Sequence, residues 1–407
     1  MIREFLALIL LAVGSAHAAD LVLTGGTVYS APDAVPMVDA VIVLHAGQIT
    51  AVGPAATVRV PAGAQVISCS GKFITAGFWN SHVHIFTPGL LHARDASAAA
   101  LSSELEAMLT RWGFTTVFDI ASVLDNTQAL RRRIQSGEVR GPRIFTVGEP
   151  LFTKLPIYIV DFVAAQHLVF PTVHTPEDAV AQVRSLAQRG ADGIKLFTGS
   201  YQGGPVDNMP LAMVRAAVDE AHRHHLPVFA HPQNLAGLEA ALGGGVDILA
   251  HTVPQSPPWT AEFAQRLRNA HIALIPTMTL WDFEARKGHM KDADRERWIE
   301  SMEDELRVFS HGGGDVLFGT DVGYTDHYDT ALEYTLMSRS GMTFPQILAS
   351  LTTAPARRFR ASGHSGMIGV GMDADVVVLD GDPAKDITNL AKVHLVIRGG
   401  TVQYENR

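Results

Sequence analysis

The chain has almost no cysteine, since Cys69 is the only one among 407 residues. A single thiol excludes an intramolecular disulfide and a cysteine cluster around a metal, so we interpret Cys69 as a small buried apolar residue. Basic residues are not in excess either, because 32 Lys and Arg face 41 Asp and Glu for a net charge of −9. A mildly acidic chain without a basic run lacks the electrostatic footprint of a nucleic-acid binder, and we predict no such partner.

Long hydrophobic runs are also missing: no segment after residue 19 has 18 consecutive apolar residues, whereas a membrane-spanning helix needs about 20. The N-terminus has a weakly basic start at Arg3, an apolar run at 5–13 and the small-residue pattern Ala-His-Ala at 16–18. This pattern is typical of a secretory signal peptide, with a buried N-terminal helix as the alternative. We predict a signal peptide at 1–19, cleaved near Ala18 or Ala19, and a periplasmic or secreted chain without a stable membrane anchor.

Both ends of the remaining chain have the texture of short strands. Residues 20–72 contain apolar, β-branched runs separated by glycine turns, and residues 363–407 contain similar runs. The sequence TGGTV at 24–28 is nearly repeated as RGGTV at 398–402. We therefore predict that 20–72 and 363–407 form one small discontinuous β domain, a β-sandwich.

Residues 73–362 alternate short apolar runs with helical segments. The eight apolar runs are 73–78, 115–118, 143–147, 193–197, 227–230, 246–250, 272–275 and 316–318. Apolar residues with helical spacing separate most of them, as in 97–112, 176–189, 210–225 and 292–310. Residues 151–171 are irregular and are interpreted as a long loop. Eight strands alternating with helices predict an α/β fold, a (β/α)8 TIM barrel over residues 73–362.

Six polar residues fall at or near the ends of these predicted strands. They are His82, His84, Lys195, His231, His251 and Asp321. In a parallel barrel all these strand ends open on one face, and the active site lies there. The six side chains are therefore expected to converge although they are spread along most of the chain.

His82 and His84 indicate a metal site mainly because they lie two residues apart near the end of a predicted strand. Residues two apart on a strand share a face, so His82 and His84 can point at one ion, and neutral imidazole suits zinc and similar metals. With 18 histidines in the chain, about one such pair is expected by chance. A second pair, His222 and His224, lies in helical sequence, where residues two apart diverge by about 200°, so we interpret it as part of a solvated helix face.

The other four residues each have a second interpretation. A strand lysine is costly to bury as a cation, so Lys195 is either a neutral, nucleophilic amine or an ion-pair partner of Asp119. His231 and His251 taken singly are typical of core or capping histidines, but both stand directly after consecutive strands. Asp321 is compatible with a helix N-cap, and in a metal site it would be a ligand and a proton acceptor.

Jointly the motifs resemble those of the amidohydrolase superfamily over nearly the whole mature chain. AGFWNSHVH at 76–84 resembles its "PGlIDxHvH" strand, and GIK at 193–195 resembles its carbamylated-lysine strand. The remaining matches are FAH at 229–231, LAH at 249–251, GTD at 319–321, TAPA at 353–356 and GMIGVGMDAD at 366–375. Ala76 replaces the usual proline and Asn80 the usual acid, but neither position is a ligand. The combination is similar to the binuclear subtype, in the imidazolonepropionase-like branch with its prolidase-like and carboxypeptidase-like enzymes.

The resemblance implies a cofactor of two divalent metal ions, with zinc as first choice and manganese or cobalt as alternatives. It implies that Lys195 reacts with CO2 to form a carbamate that bridges the ions. It further implies that His82, His84 and Asp321 hold one ion, while His231 and His251 hold the other. A metal-bridging hydroxide would attack the substrate, with Asp321 as general base and then general acid.

The expected reaction is hydrolysis of a C–N bond in a small molecule, either a dipeptide or an N-acyl amino acid. A lactonase or organophosphate hydrolase with the same centre is the alternative, and a non-catalytic periplasmic metal-binding protein is a third interpretation. Predicted substrate contacts on the loops after the strands are Tyr201, Thr198, Thr277 and Tyr324. Tyr201 is the first choice, because prolidase-like relatives use a tyrosine on the loop after the lysine strand. A homo-oligomer is also possible.

Overall fold

The computed structural model of the chain describes residues 20–253 and 255–406. The predicted signal peptide at 1–19 lies outside the described residues. Within the described part of the chain, every helix is too short or too polar to cross a membrane.

The N-terminal segment consists of short strands joined by turns. They are β1 (Leu21–Tyr29), β2 (Met37–His45), β3 (Gln48–Pro54), β4 (Gln65–Ser68) and β5 (Phe73–Ala76). β1 pairs with β2 in antiparallel and with β4 and β5 in parallel orientation. Inward residues of β1 and β2, such as Leu23 and Ile42, are fully buried, which fits their apolar, β-branched sequence.

Nine short strands follow in the central part of the chain. They are β6 (Phe78–Val83), β7 (Phe114–Asp119), β8 (Arg143–Thr146), β9 (Ile194–Leu196), β10 (Gly199–Tyr201), β11 (Val206–Asn208), β12 (Val228–Ala230), β13 (Ile248–Ala250) and β14 (Ala273–Ile275). β6, β7 and β8 pair in parallel in one sheet, and β9, β12, β13 and β14 pair in parallel in a second. β10 and β11 form an antiparallel pair just after β9. Parallel strands buried on both faces are expected to be almost continuously apolar, and β12, β13 and β14 are. β6 and β7 also bury polar side chains.

Backbone hydrogen bonds connect the two parallel sheets on both sides. The connecting bonds run from Leu151 N to Lys195 O (2.9 Å), from Leu317 N to Leu274 O (2.9 Å) and from Ser81 N to Phe318 O (2.7 Å). Residues 316–318 thus lie between β14 and β6, and the bridges at Leu151 and Leu274 are parallel. The carboxyl ends of the strands consequently open on one side of the molecule.

Twelve α-helices lie within the described residues and mostly follow the parallel strands. They are α1 (Ala98–Met108), α2 (Leu124–Gln135), α3 (Ile157–Ala165), α4 (Pro176–Gln188), α5 (Leu211–Arg223), α6 (Leu235–Gly244), α7 (Ala261–Asn269), α8 (Met278–Lys287), α9 (Asp292–His311), α10 (Ala331–Arg339), α11 (Phe344–Leu351) and α12 (Thr353–Arg358). α4 begins with a capping box between Thr175 and Asp178 and has proline at its first position, both common helix-start signals. The alternation of helices and parallel strands confirms the predicted α/β class.

The C-terminal strands return to the N-terminal sheet. They are β15 (Val376–Leu379), β16 (Val393–Arg398) and β17 (Thr401–Glu405). The sheet order is β17-β16-β15-β5-β1-β2-β3, with β4 also on β1. Both ends of the described chain therefore contribute to one sheet, while the sandwich arrangement and the domain boundaries stay predictions.

The first apolar run of the central region is two strands rather than the one that was expected at 73–78. β5 pairs with β1 and β15 in the terminal sheet, whereas β6 pairs with β7. Gly77 separates them, and a Cβ at this position would lie 2.2 Å from Thr115 Oγ1. The chain changes sheets at a point where only glycine fits against the neighbouring strand.

The interpretation of residues 151–171 as a long loop is wrong in its central part, because α3 lies there. Its sequence IYIVDFVAA is apolar almost throughout, so the alternation of polar and apolar residues that marks an amphipathic helix is missing.

The helical pair His222 and His224 behaves as two unrelated side chains. His222 Nε2 lies 2.8 Å from Asp247 Oδ2, and His224 Nε2 lies 3.3 Å from Glu220 Oε1. The two rings contact different carboxylates, as expected for helical residues two apart.

A cluster of phenylalanine rings packs among the central strands. Phe118 contacts Phe145, Phe229 and Phe359 at ring-centroid distances of 5.7, 4.9 and 4.8 Å. Phe229 is fully buried on β12, two residues before His231. The packing of this cluster thus fixes the strand that carries a candidate ligand.

Phe229→Ala is expected to lower the free energy of unfolding by about 3–5 kcal/mol, because it leaves a cavity that its neighbours fill only in part. Val38→Ala, at a position that is 72% exposed, is the control and should change it by less than about 0.5 kcal/mol. Urea unfolding followed by circular dichroism measures both. A loss below about 1 kcal/mol for Phe229→Ala would contradict the packing described.

Candidate metal centre

The six predicted ligand residues converge at the carboxyl ends of the parallel strands. His82 lies on β6 and Lys195 on β9, and His231 and His251 directly follow β12 and β13. One cavity is lined by all six side chains, namely His82, His84, Lys195, His231, His251 and Asp321. Their exposed fractions lie between 0% for His82 and 7% for His84, so the cluster is almost entirely removed from water.

Backbone hydrogen bonds hold the Asp321 segment against the end of β6. The Asp321 amide donates to the His82 carbonyl (2.9 Å), and the His84 amide donates to the Val322 carbonyl (2.8 Å). Gly323 follows with a φ of 102°, and a Cβ there would lie 2.0 Å from the His84 carbonyl oxygen. The close approach that places Asp321 beside the two histidines thus requires glycine at 323.

Asn80 strengthens the same junction. Its side-chain amide donates to Thr320 Oγ1 (2.7 Å), and its Oδ1 accepts from the His82 amide (3.2 Å). Asn80 is therefore a fully buried brace between β6 and the Asp321 segment.

Electron-pair donors converge around the Asp321 carboxylate. His84 Nε2 lies 2.6 Å and His82 Nε2 lies 3.1 Å from Asp321 Oδ1, and the two Nε2 atoms are 3.3 Å apart. His251 Nε2 lies 3.9 Å from Asp321 Oδ2. One ligand atom each of His82, His251 and Asp321 lies within 4.8 Å of the others, which makes them a candidate metal site.

Hydrogen bonds on the far side of two rings set which nitrogen faces the cluster. His84 Nδ1 lies 3.1 Å from the Ala121 carbonyl oxygen, and His251 Nδ1 lies 2.5 Å from Thr277 Oγ1. A ring that donates through Nδ1 presents the lone pair of Nε2, so in neutral rings these lone pairs face a carboxylate. Such lone pairs repel one another unless a cation lies among them, and the donor set therefore fits a divalent metal ion.

Burial sets the protonation of the cluster. It lowers the pKa of His82 and of His231 to about 3 and that of His251 well below its usual value. Burial alone would raise the pKa of Asp321, but the neighbouring His82 and His84 lower it well below its usual value. The three imidazoles are neutral and the carboxyl is ionised at neutral pH, which are the forms that bind metals.

Lys195 shares this dry environment. Its side chain is 1% exposed, and Nζ lies 5.5 Å from the centroid of the Phe197 ring. Burial lowers the pKa of Lys195 to about 7, although the Asp321 carboxylate opposes that shift. A large share of this lysine is a neutral amine at neutral pH.

The alternative interpretation, an ion pair of Lys195 with Asp119, does not match the contacts of Asp119. Its carboxylate accepts from Ser122 Oγ, from Thr146 Oγ1 (2.7 Å) and from the Ile85 amide (3.1 Å). Asp119 thus ties the segment after His84 to β7 and β8 and is engaged by neutral donors.

Three residues of the cluster have a backbone conformation that favours glycine. The φ angles are 107° at His251, 59° at Asp321 and 43° at Thr277. Each such residue costs about 1–3 kcal/mol and persists only where the surroundings enforce it, which is common at active sites. The strain falls on two candidate ligands and on the threonine that contacts one of them.

The four predicted substrate contacts divide into two pairs. Tyr201 and Tyr324 line the cavity. Thr198 and Thr277 do not line it and are fully buried behind candidate ligands. The Thr198 hydroxyl donates to the His231 carbonyl (3.3 Å), and Thr277 contacts His251, so both threonines position histidines rather than face the substrate space.

Sequence reasoning missed the side chains that α3 contributes to the cavity. Tyr158, Ile159, Phe162 and Val163 all line it. Tyr158 and Phe162 are four residues apart, a spacing that places aromatic rings on one helix face. That spacing was the available signal, but it was obscured by the apolar sequence around it.

The amidohydrolase family matches residues 73–402 of the chain. The chain belongs to the amidohydrolase family. The resemblance inferred from the strand-end motifs is thereby confirmed, and so is the prediction of an amidohydrolase-type enzyme.

Individual relatives are distant in sequence but similar in structure. The amidohydrolase is 25% identical to an ochratoxinase of Aspergillus niger over 352 residues, which cover 76% of this chain and 71% of that protein. A Xaa-Pro dipeptidase with bound methionine has a TM-score of 0.80 at 23% identity, covering 95% of this chain and 100% of the other. A putative prolidase from Bifidobacterium longum has a TM-score of 0.80 at 24% identity, covering 96% and 97%. These likenesses establish a shared fold.

Thr277→Val removes the hydroxyl beside His251 Nδ1 while keeping the shape of the side chain. It is expected to weaken binding of a divalent metal by about 10–100-fold, because an unsupported ligand ring is free to turn. Thr277→Ser keeps the hydroxyl and is the matched control. Competition for zinc between the stripped protein and a chelating indicator measures both, and equal affinities would contradict the proposed role.

Proposed function

We propose that this amidohydrolase is a metal-dependent hydrolase of an amide or peptide-like C–N bond. The observation that carries the proposal is the convergence of neutral imidazoles, an ionised aspartate and a desolvated lysine in one cavity. Such a set has little use in the interior of a protein except to bind a cation and to act on a substrate.

The proposed fold of the central region is a closed barrel of eight strands. β6, β7, β8, β9, β12, β13, β14 and residues 316–318 would be the eight strands of a (β/α)8 barrel. Support comes from the hydrogen bonds that connect the two parallel sheets on both sides. The terminal segments 20–72 and 363–407, extended by β5, would form the small β domain, and residues 1–19 would direct export to the periplasm or the medium.

Two divalent ions, with zinc as the first candidate, would be held by the six side chains. In the proposed assignment, His82, His84 and Asp321 would hold one ion and His231 and His251 the other. Lys195, as a carbamate, would supply an anionic ligand to both. When bound, the ions lower the pKa of a water molecule and polarise the scissile carbonyl.

The proposed carbamate depends on Lys195 being a neutral amine. A neutral amine attacks the carbon of CO2, a C–N bond forms, and one proton leaves to solvent, so the product carries one negative charge on two oxygens. The lowered pKa of Lys195 supplies the neutral amine at neutral pH. Among the described residues no carboxylate forms an ion pair with its Nζ, although the Asp321 carboxylate acts on it electrostatically.

Asp321 is proposed as the proton carrier. Its Oδ1 lies 2.6 Å from His84 Nε2 and 3.1 Å from His82 Nε2, whereas Oδ2 lies 3.9 Å from His251 Nε2. Oδ2 would accept the proton of the attacking water and then deliver it to the departing amine nitrogen. Tyr201 and Tyr324 would contact the substrate from the cavity wall.

We choose amides as the first candidate substrates because of the relatives that this chain resembles. An ochratoxinase matches in sequence, and a prolidase in complex with N-methylphosphonate-L-proline matches in fold with a TM-score of 0.78 at 24% identity, covering 96% of this chain and 100% of the other. We therefore keep dipeptides and N-acyl amino acids as the first candidates.

Lys195→Ala is expected to lose at least one of two bound ions and most activity, because the bridging anion can no longer form. Lys385→Ala, at a side chain that is 83% exposed, is the control and should retain both ions and full turnover. Mass spectrometry of bound metal and initial rates give the two readouts. Full occupancy with wild-type turnover in Lys195→Ala would refute the carbamate.

A panel of dipeptides, N-acyl amino acids, lactones and phosphotriesters tests the type of bond. The metal-loaded enzyme is expected to release amines from amides, and treatment with a chelator should abolish this activity until metal is restored. Activity confined to lactones or phosphotriesters would overturn the amide assignment in favour of those alternatives.

A further inference from the structure

The cavity in front of the candidate metal centre has an aromatic wall. Its volume is about 280 Å³, and ten of its 26 lining residues are aromatic, whereas aromatic residues make up 7% of the chain. These aromatic side chains include Phe86, Phe152, Phe162, Phe170, Trp281 and Trp298. An enrichment of this size indicates a surface that binds apolar groups.

α3 builds one side of this wall. Phe162 contacts Phe86 at a ring-centroid distance of 5.3 Å, and Tyr158 contacts Tyr324 at 5.4 Å. These contacts join α3 to the segments that follow His84 and Asp321. Val160, on the same helix, does not line the cavity and is 42% exposed.

The cavity offers little to pair with a charged substrate group. Among its described lining residues there is no arginine, and Lys195 is the only lysine. Glu284 is the only carboxylate besides Asp321, and it accepts from the Tyr324 hydroxyl (2.7 Å). The nearby cation Lys287 lies 3.6 Å from Glu284 Oε1 and is already neutralised by it.

A substrate carboxylate that points away from the proposed metal ions would thus find no cationic side chain besides Lys195 among the described lining residues. Burying an unpaired charge costs far more than burying an apolar group of the same shape. For comparison, an apolar protein cavity of about 150 Å³ holds a benzene molecule. The present cavity therefore has room for a ring together with an amide group.

We infer that the substrate is an uncharged amide with an aromatic or branched apolar group beside the scissile bond, rather than a peptide with a free carboxylate. This inference rests on the proposed function, hydrolysis of an amide C–N bond. Within that function it replaces dipeptides and N-acyl amino acids by uncharged amides as the first substrate candidates. The aromatic wall binds the apolar group and excludes water. The scarcity of cationic side chains away from the proposed metal ions disfavours substrates that carry a carboxylate there.

The test compares N-isobutylbenzamide with N-benzoylglycine, which place an isopropyl group and a carboxylate of similar shape at one position. Both release benzoate, which chromatography measures. The metal-loaded enzyme is expected to have a kcat/KM at least about tenfold higher for the neutral amide. A preference for N-benzoylglycine would overturn the inference.

A second experiment uses substitutions in α3. Phe162→Ala should lower kcat/KM for N-isobutylbenzamide about tenfold but leave that for N-isobutylacetamide, which lacks the ring, nearly unchanged. Val160→Ala, on the outward face of the same helix, is the matched control and should change neither value. Equal effects of Phe162→Ala on both amides would contradict a role of the wall in binding the ring.

Failure of the inference and failure of the proposed function are distinguishable. Hydrolysis of dipeptides or N-acyl amino acids without hydrolysis of the neutral amides overturns the inference and leaves the amide hydrolase standing. Hydrolysis of no amide by fully metal-loaded enzyme overturns both.

Discussion

Desolvation of six polar side chains determines what chemistry is available at the ends of the parallel strands. Inside the cavity, burial holds His82, His231 and His251 in the neutral form and brings the pKa of Lys195 to about 7. The same burial would be a heavy cost for a protein that merely had to be stable. A divalent cation among these donors would offset that cost, so the nearly buried cluster is suited to a metal ion.

This arrangement of candidate ligands is accompanied by backbone strain, and residues behind the ligands stabilise it. Thr277, which contacts His251, has a φ of 43°. The fully buried Glu333 accepts hydrogen bonds from the amides of Met278 (3.1 Å) and Thr279 (2.8 Å), the first residues of α8, and so holds the chain just after Thr277 in place. Ligand geometry thus depends on α10, a helix that does not itself carry a ligand.

The convergence of the six candidate ligands could be predicted from the sequence, because each residue stands at or near the end of an apolar run and parallel strands bring such ends together. The roles of Thr198 and Thr277 could not be predicted in this way. The sequence does not show in which direction a side chain beyond the end of a strand points. α3 was missed because its sequence is apolar on nearly all sides. The division of 73–78 into two strands depends on a close contact of Gly77 with Thr115, which is distant in sequence.

Anomalous diffraction from crystals of the zinc-loaded protein, recorded at the zinc absorption edge, tests the central claim most directly. The account predicts two peaks in the cavity, bounded by the side chains of His82, His84, Lys195, His231, His251 and Asp321. No peak in this cavity, or zinc bound only at exposed residues elsewhere, would contradict it.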